Sequence, residues 1–386
     1  MIDIKHKEDC CGCTACMSIC PTSAITMQPD QLGFLYPNVD QDKCIDCHLC
    51  ENVCQFTKTR LKTSLPESYA VRHKNIEEVS KSRSGAAFCA FSDWILEHGG
   101  IVYGASFSND FTVIHTKAET KEERDNFRGS KYVQSDLKNI FKDIYSELKK
   151  GKRLILFSGT PCQIAGLKSY LSIKKVNLEK LYLIDVVCHG VPSPFIWKDY
   201  LKYIEKTKKQ KIIAVNFRDK SELGWSAHKE SYTFTTGKKI YKDMYTYLFY
   251  EHIMFRHSCG KCPYADIYRE SDITLADFWG WENTDTTLNS DDKGISLILL
   301  NTEKGNTLFE NNKSQLIVKK TILKNCMQPN LISPSVHNKK REDFEKDYIQ
   351  HGLRYIMRKY GNNNLHYYLK TFRRKFKTLM RLIKKI

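Results

Sequence analysis

The stretch RLILFSGTPCQIAGLKSYL, residues 153–171, joins a short apolar run to a helical pattern through a Gly-Thr-Pro turn. Thr160 is a favourable helix N-cap, and Pro161 suits the first helical position, where an N–H would find no acceptor within the helix. The next apolar run, LYLIDVV at residues 181–187, is typical of a strand. Strand, helix and strand in this order predict a βαβ unit with parallel strands.

The same alternation is found on the N-terminal side of this unit. SYAVRH and GIVYGASF are typical of strands, whereas GAAFCAFSDWILEHGG and LKNIFKDIYSELKKG are typical of helices that end at glycines. We therefore expect an α/β domain with a mainly parallel sheet over residues 67–335. A cysteine-dense domain, residues 1–56, precedes it through a polar linker, residues 57–66, and a basic helical tail, residues 336–386, follows it.

Composition narrows the class of protein. The chain of 386 residues carries 15 cysteines and a formal charge of +17. No apolar stretch approaches the roughly 18 residues of a membrane span, and the N-terminus lacks the pattern of a signal peptide, so we expect a cytoplasmic protein. Cysteines clustered in a reducing compartment are expected to bind metal or to carry out redox chemistry. Much of the positive charge lies in the tail, which argues against specific nucleic-acid binding.

Two cysteine runs near the N-terminus share the spacing C-x2-C-x2-C-x3-C. In this spacing the first three thiolates of a run bind one 4Fe–4S cluster, and the fourth reaches the other cluster. The predicted ligands of cluster 1 are Cys10, Cys13, Cys16 and Cys54. The predicted ligands of cluster 2 are Cys44, Cys47, Cys50 and Cys20.

These two runs resemble those of bacterial two-cluster ferredoxins, which implies an α+β ferredoxin-like fold for residues 1–56. Structural zinc is the alternative, although a tetrahedral four-cysteine zinc site does not require two C-x2-C-x2-C runs. Cys11 lies off the ligand spacing and is interpreted as a bystander.

Four further cysteines predict a third site in the α/β domain. Cys162 lies in the first turn of a helix, where a thiolate is stabilised, so that Cys162 alone could be a nucleophile. Cys188 follows the next strand, and neighbouring parallel strands place both residues at one sheet edge. Cys259 and Cys262 complete the four thiols that a third 4Fe–4S cluster requires. Zinc on the same four thiols is the alternative, and Cys89 and Cys326 are interpreted as core or incidental thiols.

Several motifs occur in a characteristic order over most of residues 67–335. They are SGTPCQIAGL, VVCHGVPSP, NFRDK, CGKCPYADIYRESDITLADFWG and GISLILLNTEKG. Together they resemble the coenzyme F420 hydrogenase/dehydrogenase beta-subunit family. The resemblance implies FAD, an iron–sulfur cluster in this domain and hydride exchange with a small molecule.

For the flavin, the resemblance indicates Ser84 and Gly85 at a helix start and the loop Gly129, Ser130 and Lys131. Arg218 and Lys220 are candidates for holding an anionic substrate. Asp272 and Asp277 could orient the cluster loop or the flavin, but structural salt bridges explain all four charged residues equally well.

The tail contains an amphipathic pattern over residues 365–384, with an apolar face and a Lys/Arg face. Such a helix suits an anionic membrane surface, although its apolar stripe could equally pack on the protein.

The sequence thus predicts a cytoplasmic iron–sulfur flavoprotein oxidoreductase, peripheral to the membrane if the tail helix binds there. Its partners would be a redox protein or reduced ferredoxin and a small-molecule hydride donor or acceptor. Bacterial relatives suggest a setting in cell-surface polysaccharide synthesis. The alternative is a non-catalytic electron-transfer or scaffold subunit that docks a partner enzyme.

Overall fold

A computed structural model describes residues 1–56, 58, 60, 62 and 64–362. The strands are β1 Ile25–Pro29, β2 Leu35–Val39, β3 Glu67–His73, β4 Ile101–Phe107, β5 Val113–Ala118, β6 Ile155–Gly159, β7 Leu181–Val186, β8 Ile212–Asn216, β9 Glu230–Phe234, β10 Lys239–Lys242, β11 Ile273–Asp277, β12 Ser296–Leu300 and β13 Leu316–Thr321. The helices are α1 Ala15–Ile19, α2 Leu49–Asn52, α3 Ile76–Lys81, α4 Ala87–Glu97, α5 Lys121–Asp125, α6 Ile140–Lys150, α7 Pro161–Ile173, α8 Pro194–Lys208, α9 Met244–Tyr250, α10 Glu303–Asn312, α11 Leu323–Cys326 and α12 Arg341–Tyr360.

Residues 1–56, which we call the head, combine a β-hairpin with two short helices. β1 pairs with β2 in antiparallel register, with Ile25 opposite Val39. α1 carries Cys16 and α2 carries Cys50, so each cysteine run contains one helical turn. Buried apolar residues of the head share a hydrophobic core with α6 and α7. The head therefore packs directly on the α/β domain.

An eight-stranded sheet in the order β13-β3-β12-β11-β7-β6-β4-β5 forms the centre of the α/β domain. The four central strands β4, β6, β7 and β11 pair in parallel, whereas β5, β12, β3 and β13 are antiparallel to their neighbours. The expectation of a mainly parallel sheet is therefore correct for the centre and is corrected at the edges. Between β4 and β5, residues 108–112 are too short a connection for a parallel crossover, so this pair must be antiparallel.

Helices cover both faces of the sheet, as the alternation of side chains along the central strands requires. Ile155 and Phe157 of β6 pack with α6, α7 and the head on one face. Leu156 of the same strand packs with α4 and α10 on the other face. The helices and strands expected between residues 67 and 187 are all present at these positions.

A second, smaller antiparallel sheet of β8, β9 and β10 packs with α8, α9 and α12 around Trp197 and Tyr245. α12 lies in the expected tail, and its buried Phe344 and Ile356 belong to this core. Gly352, with a φ of +72°, interrupts the helical backbone of α12. The amphipathic helix predicted over residues 365–384 lies outside the described residues.

Within the part of the chain that the structure describes, no helix combines the length and the apolar character needed to cross a bilayer.

Candidate functional site

The head brings the cysteines together in the two sets that the spacing predicts. Cys20 lines one small cavity together with Cys44, Cys47 and Cys50 of the other run. Burial raises the pKa of Cys16 well above its usual value, and the nearby thiols of Cys13, Cys10 and Cys54 raise it further. The fourth cysteine of each run thus lies with the first three of the other run, as two cubane clusters require.

The start of α7 places Cys162 next to the sheet edge. Thr160 caps the helix, and its backbone N–H donates to Gln163 Oε1 at 2.9 Å. β6 and β7 pair in parallel, so the residues that follow both strands emerge at the same edge. Cys162 and Cys188 therefore lie side by side, as expected from the βαβ unit.

Cys259 and Cys262 complete a group of four thiols at this edge. They lie at a short 3-10 helix, His257–Lys261, and line one small cavity with Cys162 and Cys188. Burial raises the pKa of Cys188 well above its usual value, and the neighbouring thiols of Cys259, Cys162 and Cys262 add to this rise. Val191 N donates to Cys259 Sγ at 3.4 Å, as main-chain N–H groups commonly do to cluster thiolates.

Cys11 connects the head to this third set. It lines the same small cavity, and its hydrogen bonds to Cys13 and Cys162 raise its own pKa well above the usual value. The hydrogen bond from Cys11 is also the largest reason why the pKa of Cys162 falls to about 7. A predicted ligand of cluster 1 and a predicted ligand of the third set thus share one neighbour.

Among the described residues, no group of three or more His, Cys, Asp or Glu side chains is arranged as a site for a metal ion. In a 4Fe–4S cluster each thiolate binds a different iron, so the four thiols need not converge on one point.

A large cavity of about 570 Å³ lies beside the third set. Residues 188–191 line both this cavity and the small one, so a ligand in the large cavity would contact the segment that carries Cys188. Apolar side chains such as Phe127, Phe249 and Leu275 form much of its wall. Its volume is in the range of about 300–1,000 Å³ that is usual for sites of small molecules and cofactors.

The residues expected to bind the flavin differ in whether they line this cavity and in whether their polar groups are already hydrogen-bonded. Ser84 and the loop of Gly129, Ser130 and Lys131 line it. Ser84 Oγ, however, donates to Ile295 O at 2.5 Å, and Gly85 N donates to Ser296 Oγ at 2.9 Å. These groups are engaged within the protein, so the N–H groups available at the start of α4 belong to residues 86–88.

Lys131 folds back on its own loop. Its Nζ donates to Asn126 O at 2.7 Å and to Arg128 O at 3.0 Å. Burial lowers the pKa of Lys131 to about 7. Lys131 thus adds an amine to the rim of the cavity.

A second cavity of about 380 Å³, which we call the polar pocket, adjoins the first and shares with it Arg83, Arg218 and the loop 128–131. Arg218 donates to Tyr250 OH at 2.9 Å and to Tyr132 OH at 3.3 Å. Lys220 donates to Ser84 O at 3.2 Å, and burial together with Arg83 lowers its pKa to about 7. Both residues suggested for an anionic substrate therefore line this pocket.

Asp272 and Asp277 have different hydrogen-bonding and ion-pair partners. Asp272 accepts hydrogen bonds from Leu183 N at 2.8 Å and from Thr302 Oγ1 at 2.7 Å, which gives it a structural place beside the sheet. Asp277 lines the large cavity and pairs with Arg83 at 3.1 Å.

Residues 152–324 match the family model for the coenzyme F420 hydrogenase/dehydrogenase beta subunit, C terminus, and residues 9–57 match the 4Fe-4S dicluster domain. These matches confirm the family resemblance over residues 152–324 and the ferredoxin resemblance over residues 9–57. The matched segments include the head cysteines and all four cysteines of the third set.

Among solved structures, the chain is similar to one from the F420-reducing [NiFe] hydrogenase complex of Methanosarcina barkeri, studied by xenon derivatization. The identity is 16%, the TM-score is 0.47, and the similarity covers 76% of this chain and 90% of that chain. No curated protein matched the chain.

Sequence reasoning missed two residues of this site, one in the head and one in the α/β domain. Cys11 was set aside because it is off the ligand spacing, and only the packing of the head on α7 shows its neighbours. Arg83 lies next to Ser84 in the sequence, but no spacing rule indicates that its side chain lines two cavities. Both are consequences of tertiary packing.

Proposed function

We propose that this chain is an iron–sulfur flavoprotein oxidoreductase that connects a redox partner protein with a small-molecule hydride donor or acceptor. Iron–sulfur clusters carry single electrons, and a bound flavin supplies the conversion to two-electron hydride chemistry. The chain itself would hold these groups next to one another in the order in which electrons pass, and it would bind the small molecule.

One observation supports the proposal above the others, namely the succession of thiol groups through the molecule. It begins at Cys47, which is exposed in the cluster 2 set. It continues through the cluster 1 set and Cys11 to Cys162. It ends at the segment 188–191, which is also a wall of the large cavity. Such a succession gives electrons a path from the surface to a ligand site.

The third set has the features of a cluster site. Its four thiols are close to one another, and Val191 N–H points to one of them. The start of α7 adds a favourable partial positive charge next to Cys162. We therefore propose that Cys162 is a cluster ligand rather than a nucleophile.

Anaerobic purification with iron, sulfide, zinc and flavin analysis tests the proposal. Three clusters of four irons predict about 12 irons per chain, together with flavin absorption bands. Cys162→Ser is expected to lose about four irons and to keep the head clusters. Cys326→Ser is the matched control, because Cys326 is buried and donates to Ile322 O away from the three sets.

Three results would contradict parts of the proposal. About eight irons with one zinc would replace the third cluster by zinc. Unchanged iron with lost activity in Cys162→Ser would restore the nucleophile. Three clusters without flavin would favour the electron-transfer or scaffold subunit that docks a partner enzyme.

Two further parts of the proposal concern the identity of the small molecule and binding to a membrane. If the small molecule is a sugar or lipid-linked intermediate of polysaccharide synthesis, such a compound should reoxidise the reduced protein. If residues 365–386 bind an anionic membrane, their deletion should release the protein from anionic vesicles in a sedimentation assay. An unchanged distribution would remove the membrane partner.

A further inference from the structure

Two buried arginines stand at the boundary between the large cavity and the polar pocket. Arg83 precedes α4, and Arg218 follows β8, and both line both cavities. Their side chains are only 9% and 4% exposed. A guanidinium remains charged at any physiological pH, so two permanent positive charges are buried here.

Several N–H groups of these arginines lack acceptors. Within the described residues, Nε and Nη1 of Arg83 and Nε and Nη2 of Arg218 have no hydrogen-bond partner. Both arginines depend on one carboxylate, since Asp277 lies 3.1 Å from Arg83 and 3.8 Å from Arg218. A single carboxylate cannot neutralise two guanidinium groups, and unpaired buried donors are costly. The arrangement is therefore incomplete without a further anion.

Three other cations of the polar pocket differ in whether a carboxylate neutralises them. Lys239 and Arg128 have carboxylate partners, with Lys239 2.6 Å from Asp219 and Arg128 2.6 Å from Glu78. Lys220, by comparison, donates to backbone carbonyl oxygens. The pocket thus holds positive charge that its own carboxylates do not balance.

The start of α4 adds main-chain donors on the same side. α4 has 11 residues, and its N-cap Ala86 has no side chain that could satisfy the first N–H groups. Residues 86–88 line the large cavity beside Arg83. A helix start of this kind favours an anion, as the two arginines do.

We propose that Arg83 and Arg218 form a binding site for the phosphate oxyanion of a ligand that lies across the boundary of the two cavities. The planar fork of arginine matches phosphate oxygens, and the unpaired N–H groups are the donors that such an oxyanion needs. The phosphate belongs either to the flavin or to the substrate. This inference rests on the proposed function, since the phosphate is that of its flavin or of its substrate, but oxyanion binding itself can be measured without clusters or electron transfer.

Calorimetric titration of the full-length protein, freed of flavin, with inorganic pyrophosphate tests the site. The wild type is expected to bind. Arg83→Gln and Arg218→Gln are each expected to weaken binding by about tenfold or more, since each loses charged hydrogen bonds. Arg72→Gln is the matched control, because Arg72 is also buried but is paired with Asp291 at 2.8 and 2.5 Å. The control should bind like the wild type.

A repeat of the titration after FAD is added identifies the source of the phosphate. Loss of pyrophosphate binding would assign the site to the flavin pyrophosphate, and retained binding would assign it to a phosphorylated substrate. No binding by the folded wild type, or an equal loss in all three variants, would overturn the proposal. Arg218→Lys, which keeps the charge without the fork, should bind more weakly than the wild type if Gln variants fail to fold. Iron content is measured in parallel, so failure of this site is distinguishable from failure of the electron path.

Discussion

Arg256 contacts the head from a position close to the third set in the sequence. It is fully buried three residues before Cys259. Its guanidinium donates to Cys10 O at 2.7 Å, Gln134 Oε1 at 2.8 Å and Leu35 O at 2.9 Å, and it approaches Cys10 Sγ at 3.6 Å. None of these partners is a carboxylate. A cluster on Cys10 would therefore provide the negative charge that this cation faces.

Arg256→Gln is expected to lower the reduction potential of cluster 1. A nearby positive charge stabilises the more negative, reduced form of a cluster, so its removal disfavours reduction. The expected shift is on the order of 60 mV, which for one electron corresponds to about 1.4 kcal/mol. A redox titration followed by electron paramagnetic resonance measures it, with iron content as a check on loading.

Two further variants make this experiment specific. Arg256→Lys keeps the charge and should shift the potential less than Arg256→Gln. Arg341→Gln is a matched control, because Arg341 is also buried but pairs with Glu345 at 3.1 Å and donates to Phe255 O. An equal shift in Arg341→Gln would mean that general loosening of the interface, not charge, sets the potential.

Lys220 is expected to make the oxyanion site sensitive to pH. Burial and the charge of Arg83 lower its pKa to about 7, with a smaller contribution from Arg72, while Asp277 and Asp291 oppose the shift. Lys220 is charged below this pKa and neutral above it, so its attraction for an anion is lost as the pH rises. Sulfate, which keeps its charge over this range, should therefore bind several-fold more weakly at about pH 9 than at about pH 6.

Calorimetry with sulfate at a series of pH values checks this dependence. Lys220→Met should flatten the profile, and Lys131, whose pKa burial lowers to about 7, accounts for what remains. An identical slope in Lys220→Met and wild type would rule out Lys220 as the titrating group.

At the scale of elements, α7 serves both the head and the third set. Its first turn carries Cys162, and Gly166 lies one turn later against the head. A Cβ added at Gly166 would lie 2.8 Å from both Cβ and Sγ of Cys13, which is closer than real contacts allow. Gly166 is thus required by the close approach of α7 and the head rather than by the helix, in which glycine is unfavourable.

Gly166→Val is expected to displace Cys13 and to cause selective loss of cluster 1, or about four irons per chain. Iron analysis and spectra of the remaining clusters measure the effect. Ser172→Val places the same β-branched side chain on the exposed side of α7 and should keep full iron content. Full iron content in Gly166→Val as well would show that the head adjusts without loss of the ligand.

The elements themselves were largely predictable from the sequence. Strong apolar periodicity and the residues that favour helix starts and ends predicted β6, α7 and β7, because local preferences and burial agree there. The antiparallel edge of β12, β3 and β13 was not predictable, since β3 pairs with β12 and β13, which lie more than 200 residues away in the chain. Such pairings depend on tertiary packing and leave no local signal.

At the scale of the whole molecule, the cysteine spacing predicts which thiols form each set. It does not predict where the sets lie relative to one another. Cysteine spacing is a short-range constraint that a cluster imposes, so both head sets follow from it. The meeting of Cys11 with Cys162 depends instead on how the head packs on α7. The buried charges of Arg83 and Arg218 depend on a cavity that residues distant in sequence enclose.

The order of the sets predicts where electrons enter the molecule. Cys47 is exposed, whereas Cys162 and Cys188 lie at the internal sheet edge behind the head. We therefore expect cluster 2 to be the group that a protein donor approaches. Cys47→Ser with Cys20→Ser should remove about four irons and abolish reduction of the remaining centres by reduced ferredoxin. Dithionite, a small reductant, should still reduce them, because it does not need the docking surface around cluster 2. Stopped-flow spectra with the two donors separate these cases, and unchanged reduction by ferredoxin in the double variant would place the docking surface elsewhere on the protein.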